Sequence, residues 1–240
     1  MDMPIDMQHQ AMGYDRTATM FSPEGHLLQV EYAEKTVRLG SASIGLVCKD
    51  GVLIISDKRI DDKLVVQKSA KKVNEIDEHL ISAIAGIISD ARVLTEKAQV
   101  ICQQHRITYD SPIEPESVIK EIANIQQQFT QYGGARPFGI SMMLAGINGK
   151  KPELYTSEIT GNYFSYYANA IGEDDDKIKE KLQERYKQDM TLKQGTKLAL
   201  EIFKEMKGAK FDVGKFEMAY VTIEEGKLKR LEGKEIEEFA

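Results

Sequence analysis

The chain has 240 residues, 42% hydrophobic and 29% charged, which suits a folded protein with a sizeable core and excludes a wholly disordered one. Thirty-two basic residues against 38 acidic ones leave a formal net charge of −6, so no general basic face for nucleic acid is expected. Cys48 and Cys102 lack CxxC spacing and read as two reduced core cysteines, and the four histidines never fall at metal-ligand spacing.

No apolar run approaches the ~20 residues that span a bilayer, and the Met1-Asp2-Met3-Pro4 start lacks the features of a secretory signal. A soluble cytoplasmic protein is the expectation. Residues 1–13 are rich in Met, Gln and Asp without helical or strand periodicity and read as a mobile arm. Residues 14–240 contain no linker rich in Pro, Gly or Ser and read as one domain.

Ser22-Pro23, followed by Glu24, predicts the opening of a helix over 24–38. Its apolar residues occupy more than one face: Val30, Ala33 and Val37 on one, Leu28 and Tyr32 on another. Such a helix needs more than one neighbour, within a core or at a subunit interface.

After Gly40 the pattern changes. Ile44 to Cys48 and Val52 to Ser56 are apolar runs joined by Lys49-Asp50-Gly51, a strong hairpin signal. Segments 65–73 and 80–85 read as a second strand pair. A helix follows, capped by Ser89 or Asp90, with Leu94, Ala98, Ile101 and His105 as its buried stripe. A second helix after Ser111-Pro112 carries Val118, Ile122, Ile125, Phe129 and Tyr132 at steps of four and three, and Gly133-Gly134 closes it.

Strands resume over 139–147, turn at Asn148-Gly149 and continue through Leu154-Tyr155, and 163–171 alternates like one further strand. The acids Glu173-Asp174-Asp175-Asp176 mark the start of a third helix, where the dipole favours them. A fourth begins at Thr191 and buries Leu192, Ala199, Ile202 and Met206; a last hairpin turns at Glu225-Gly226, and a short acidic helix over 234–239 closes the chain. Strand groups separated by helix pairs predict an α+β fold: two antiparallel sheets packed together with a helix layer on each side, an αββα sandwich.

No GxGxxG, P-loop or GxSxG elbow is present, so no cofactor is expected. The glycine-rich Gly133-Gly134-Ala135-Arg136-Pro137-Phe138-Gly139 follows a helix and precedes a strand, the reverse of a phosphate cradle.

Tyr14-Asp15-Arg16, Phe21-Ser22-Pro23-Glu24-Gly25 and Gln29-Val30-Glu31-Tyr32-Ala33 together resemble the N-terminal signature of proteasome α subunits. Tyr132-Gly133-Gly134-Ala135-Arg136-Pro137-Phe138-Gly139 resembles the same family's internal box, and the overall pattern is similar to archaeal members. The resemblance implies a four-layer αββα sandwich. It also implies a non-catalytic subunit of a seven-membered ring of identical chains, stacked on proteasome β subunits and docking an AAA-type ATPase activator, with neither nucleic acid nor membrane as a partner.

The proteolytic β subunits of that superfamily use an N-terminal threonine whose own amine serves as base. Here Ser41 falls at that position, with Asp57 and Lys72 matching the supporting residues. The competing reading is a self-processing N-terminal-nucleophile hydrolase; against it, an amide nitrogen at Ser41 is no base. By resemblance, Tyr14, Asp15, Pro23 and Tyr32 form the gate cluster, and Lys72, Gly86 and Ile87 line a pocket for the activator's tail.

Overall fold

In the computed structural model, residues 12–59, 64–66 and 71–240 are described. Most of the arm expected over 1–13 lies outside them, as do residues 67–70 of the strand expected over 65–73.

Two five-stranded antiparallel sheets form the centre, as expected. One has the order β10-β9-β2-β1-β8, the other β3-β4-β5-β6-β7. The first is built around the hairpin of β1 (Ser43–Cys48) and β2 (Gly51–Asp57), extended by β8 (Ala168–Ile171), β9 (Phe216–Thr222) and β10 (Leu228–Glu232). The second comprises β3 (Val73–Asp77), β4 (Leu80–Gly86), β5 (Ile140–Asn148), β6 (Lys151–Ser157) and β7 (Tyr163–Ser165).

The central strands are buried on both faces, which explains why they read as apolar runs rather than alternating ones. Between the sheets, Val52, Ile54 and Val221 meet Ile81, Met143 and Leu154. The approach is close at Gly45, where an added Cβ would stand 2.5 Å from Met143 Sδ. Opposed Ser43 and Ser56 meet within this layer, the Ser56 hydroxyl donating to Ser43 at 2.7 Å.

Helices cover both outer faces. On the second sheet, α2 (Ile88–Tyr109) and α3 (Pro115–Phe129) bury Leu94, Ala98, Cys102, Val118 and Ile122. On the first, α4 (Asp175–Arg185), α5 (Leu192–Lys207) and α6 (Lys234–Phe239) bury Ile178, Leu182, Ile202, Phe203 and Ile236. Thr191 and Gln194 form a capping box at the start of α5, and Asp50 of the β1–β2 turn accepts the Leu192 amide at 2.7 Å. Cys48 and Cys102 are buried and unbonded in separate outer layers, and burial pushes each thiol up to about 12.

The remaining helix, α1 (Leu28–Leu39), packs its Val30 and Ala33 face on Ile159, with Val37 alongside. It starts later than the Ser22-Pro23 signal predicts. Gly25, at φ 85°, donates to the Ser22 carbonyl at 2.9 Å, so Pro23 and Glu24 form a turn before the helix.

Other expectations are corrected by their hydrogen bonds. Neither Ser89 nor Asp90 caps α2, because the Asp90 carboxylate faces Arg136 and the Gly139 amide instead. Ile101 and His105 sit at the margin of the α2 stripe, and Cys102 continues it. Tyr132 lies beyond α3 and is exposed. β3 begins at Val73, where the expected strand ends. The strand expected over 163–171 is two strands in different sheets. The Tyr166 amide donates to Leu154 of the second sheet, while Tyr167 accepts from Val47 of the first, so the chain changes layer between adjacent residues.

Candidate functional site

A cavity of 370 Å³ opens where the segment before β1, the start of β3 and the β4–α2 corner meet. Leu39, Ser41, Lys72, Ile84, Gly86 and Ile88 are among its walls. Its shape depends on the corner. Gly86 has φ 119°, and a Cβ there would stand 2.0 Å from the Gly139 carbonyl oxygen. That carbonyl accepts from the Ile87 amide at 3.0 Å and from the Thr36 hydroxyl at 3.0 Å. Ile87 turns its side chain over Gly139, while its neighbours Gly86 and Ile88 line the cavity.

Sequence reasoning brought Ser41, Asp57 and Lys72 together, and the structure pairs them unequally. The Lys72 ammonium donates to the Ser41 carbonyl and, at 2.5 Å, to its hydroxyl. The Ser41 hydroxyl donates in turn to the Asp57 carbonyl at 2.7 Å. The Asp57 carboxylate turns elsewhere: it accepts from the Arg59 amide at 3.0 Å and pairs with Lys207 at 2.5 Å. Asp57 therefore meets Ser41 through its main chain.

Burial pulls the Lys72 ammonium down to about 8, the attraction of Asp57 and Glu217 offsetting only part of the desolvation. Arg59 and Lys207 push the same way as burial. This lysine is a cation with a partly dried head, positioned by a hydroxyl and a carbonyl, at the wall of an open cavity.

Sequence reasoning missed Lys207, Arg59 and Glu217. The signal for Glu217 is a single charge inside the apolar run Phe216-Glu217-Met218-Ala219-Tyr220-Val221. It is 3% exposed, and its carboxylate accepts from the amides of Lys72 and Val73.

The second predicted group lies at the N-terminal end. Tyr14 and Asp15 form a single 3-10 turn, Tyr14–Arg16, which packs against α1, the helix that carries Tyr32. The Asp15 carbonyl accepts from the Gln29 side chain, and Asp15 Oδ1 is buried with no hydrogen-bond partner among the described residues. Pro23 is exposed at the Ser22–Gly25 turn, and Lys35 lies 5.2 Å over the Tyr32 ring. What the structure joins directly is the turn and the helix.

Among the described residues, no cluster of His, Cys, Asp and Glu is placed to hold a metal ion, and no helix is long and apolar enough to cross a membrane.

Residues 37–221 match the family model of proteasome subunits, and residues 14–35 match the model of the N-terminal signature of A-type proteasome subunits. Relatives described as proteasome alpha subunits include that of Pyrococcus abyssi, 41% identical over 95% of this chain and 86% of the relative. Those of Methanothermobacter thermautotrophicus and Methanosarcina acetivorans are 40% and 38% identical, each over 95% of this chain and 92% of the relative.

Proposed function

The chain belongs to the proteasome subunit family, as one of its α-type members, and from that premise we propose that it is non-catalytic. Seven copies form an outer ring stacked on a ring of β subunits. The ring templates assembly, closes the axial entrance and docks an AAA-type ATPase, in the cytoplasm. Residues 1–13 act as the gate arm of the domain formed by residues 14–240. Tyr14, Asp15, Pro23 and Tyr32 hold the gate open, and the cavity of Lys72, lined by Gly86 with Ile87 packed behind it on Gly139, takes the carboxylate at the end of an activator's tail.

The observation that carries the non-catalytic reading is the state of Ser41. Its nitrogen is a peptide amide, so it offers no free amine as base. Its hydroxyl proton points to the Asp57 carbonyl, and Lys72 donates to its oxygen rather than accepting from it. A nucleophile needs the opposite polarity at its neighbour. Lys72 behaves as a cation, the charge that a tail carboxylate requires.

Assembly is supported by apolar side chains left at the surface of α2: Ile88, Val93, Val100 and Ile107 are exposed. The test is the purified chain alone, examined by negative-stain imaging, intact mass and peptide hydrolysis. Rings of full-length chain without peptidase activity are expected. Cleavage before Ser41, with hydrolysis that needs no β subunit, overturns the reading.

A further inference from the structure

Glu217 and Lys72 belong to different sheets. Glu217 stands in β9, paired with Ser56 of β2, whereas Lys72 immediately precedes β3. Among the described residues β3 is the edge strand of its sheet, so its outer main-chain groups meet no neighbouring strand there. Side chains from the other sheet meet them instead. Glu217 Oε1 accepts the amide of Lys72 and, at 2.5 Å, that of Val73, and Arg230 of β10 donates to the Val73 carbonyl at 2.8 Å.

The Lys72 residue is thus held at both ends. Its main chain is fixed by Glu217, and its ammonium by Ser41. A buried carboxylate is costly unless its oxygens find donors, so one that sits 3% exposed on two amides is a committed element of the local structure.

We infer that Glu217 is the positioning residue of the cavity: by holding the amides of Lys72 and Val73 it sets where the Lys72 ammonium stands, and it buries a carboxylate against that residue's main chain. The inference rests on the reading of Lys72 as the cation for an activator's tail. The charged groups that face Lys72 are Asp57 and Arg59 at the end of β2, Lys207 at the end of α5, and Glu217; those facing Glu217 are Lys58 and Arg230. Asp57 and Glu217 raise the lysine's affinity for its proton, and Arg59 and Lys207 lower it. Burial raises the Glu217 carboxyl, against the pull of the two amides.

Two substitutions separate the two roles. Glu217→Gln retains an oxygen that can accept from both amides but loses the charge. Glu217→Ala loses both. Assembled particles carrying each, together with Lys72→Ala and wild type, are titrated with the C-terminal heptapeptide of an archaeal proteasome-activating ATPase. The peptide is used with a free carboxylate and as its amide, between about pH 6 and about pH 9, where a lowered lysine changes charge. Glu217→Gln is expected to bind the free-acid peptide as wild type does at the acid end, within about 2-fold, with the pH at which binding falls moved lower. Glu217→Ala is expected to weaken binding about 10-fold or more across the range, while the amide peptide, already weak, changes little.

If both Glu217 variants keep wild-type affinity and pH midpoint while Lys72→Ala loses binding, the positioning role is wrong and the cavity reading stands. If Lys72→Ala also binds as wild type, the cavity reading itself fails. Should Glu217→Ala not assemble, the midpoint of Glu217→Gln decides the matter.

Discussion

Asp90 and Arg136 meet fork to fork, Arg136 Nη1 at 2.6 Å from Asp90 Oδ2 and Nη2 at 2.7 Å from Oδ1. Asp90 Oδ2 also accepts the Gly139 amide at 3.0 Å. One carboxylate in the first turn of α2 thereby fixes the segment that leads into β5, and with it the carbonyl that shapes the Gly86 corner. The internal glycine-rich box is a structural brace.

The pair should be visible in stability against pH. The Arg136 hydrogen bond, helped by the Gly139 amide, holds the Asp90 carboxyl below its usual range. A lowered carboxyl stabilises the fold above its unfolded pKa of about 4, and that stability is lost as pH falls through the folded value. Asp90→Ala should cost about 1–3 kcal/mol at neutral pH, and Arg136→Ala less, because its side chain is 58% exposed and solvent screens it. Thermal melts of variant and wild type should converge in acid, below about pH 4; a gap that persists there contradicts the assignment.

Gly86→Ala tests the corner itself. The new methyl would stand 2.0 Å from the Gly139 oxygen, at a φ of 119° that L side chains avoid. The main chain must move, at a cost of about 1–3 kcal/mol. The expected result is a lower melting temperature together with weaker activator binding. An unchanged melting temperature would show that the corner relaxes freely.

Much of this architecture was legible in the sequence. The stripe of Val118, Ile122 and Ile125 was plain because α3 buries one face only, and the β1–β2 hairpin announced itself at Asp50-Gly51. The change of sheet between Tyr166 and Tyr167 was not legible, because alternation runs unbroken across it and only pairing partners distinguish the halves. The start of α1 was misplaced because Ser22-Pro23-Glu24 also suits a turn, which Gly25 closes. At the site, Lys72 and Ser41 were named by resemblance. The rotation of the Asp57 carboxylate toward Lys207 depends on the end of α5, which no local pattern connects to β2.

Deleting residues 1–12 tests the proposed gate. These residues carry no periodic apolar face that would give them a core of their own, so a steric role suits them. Particles assembled with the truncated chain should hydrolyse small peptides several-fold faster than wild type in the absence of any activator. Equal rates would remove the arm from the gating mechanism.

Lys72→Ala separates docking from gating. A tail carboxylate entering a partly dried cavity needs a cation, and truncating one member of such a pair costs about 2–5 kcal/mol, roughly 30-fold or more in affinity. The variant should lose ATPase-dependent protein degradation. Combined with deletion of residues 1–12, it should still hydrolyse peptides at the truncated particle's full rate, since the Lys72 substitution leaves the opened entrance as it is. The pH dependence has a fixed sign. With the Lys72 ammonium pulled down to about 8 by burial, the charged form dominates below that value and the neutral form above it. Activator binding by the wild type should therefore weaken as pH rises through about 8, and Lys72→Arg, which keeps its charge, should flatten that fall even if its larger head fits less well. A solvated lysine without a role would leave affinity unchanged in Lys72→Ala and show no such fall, and that pair of results would remove Lys72 from the docking site.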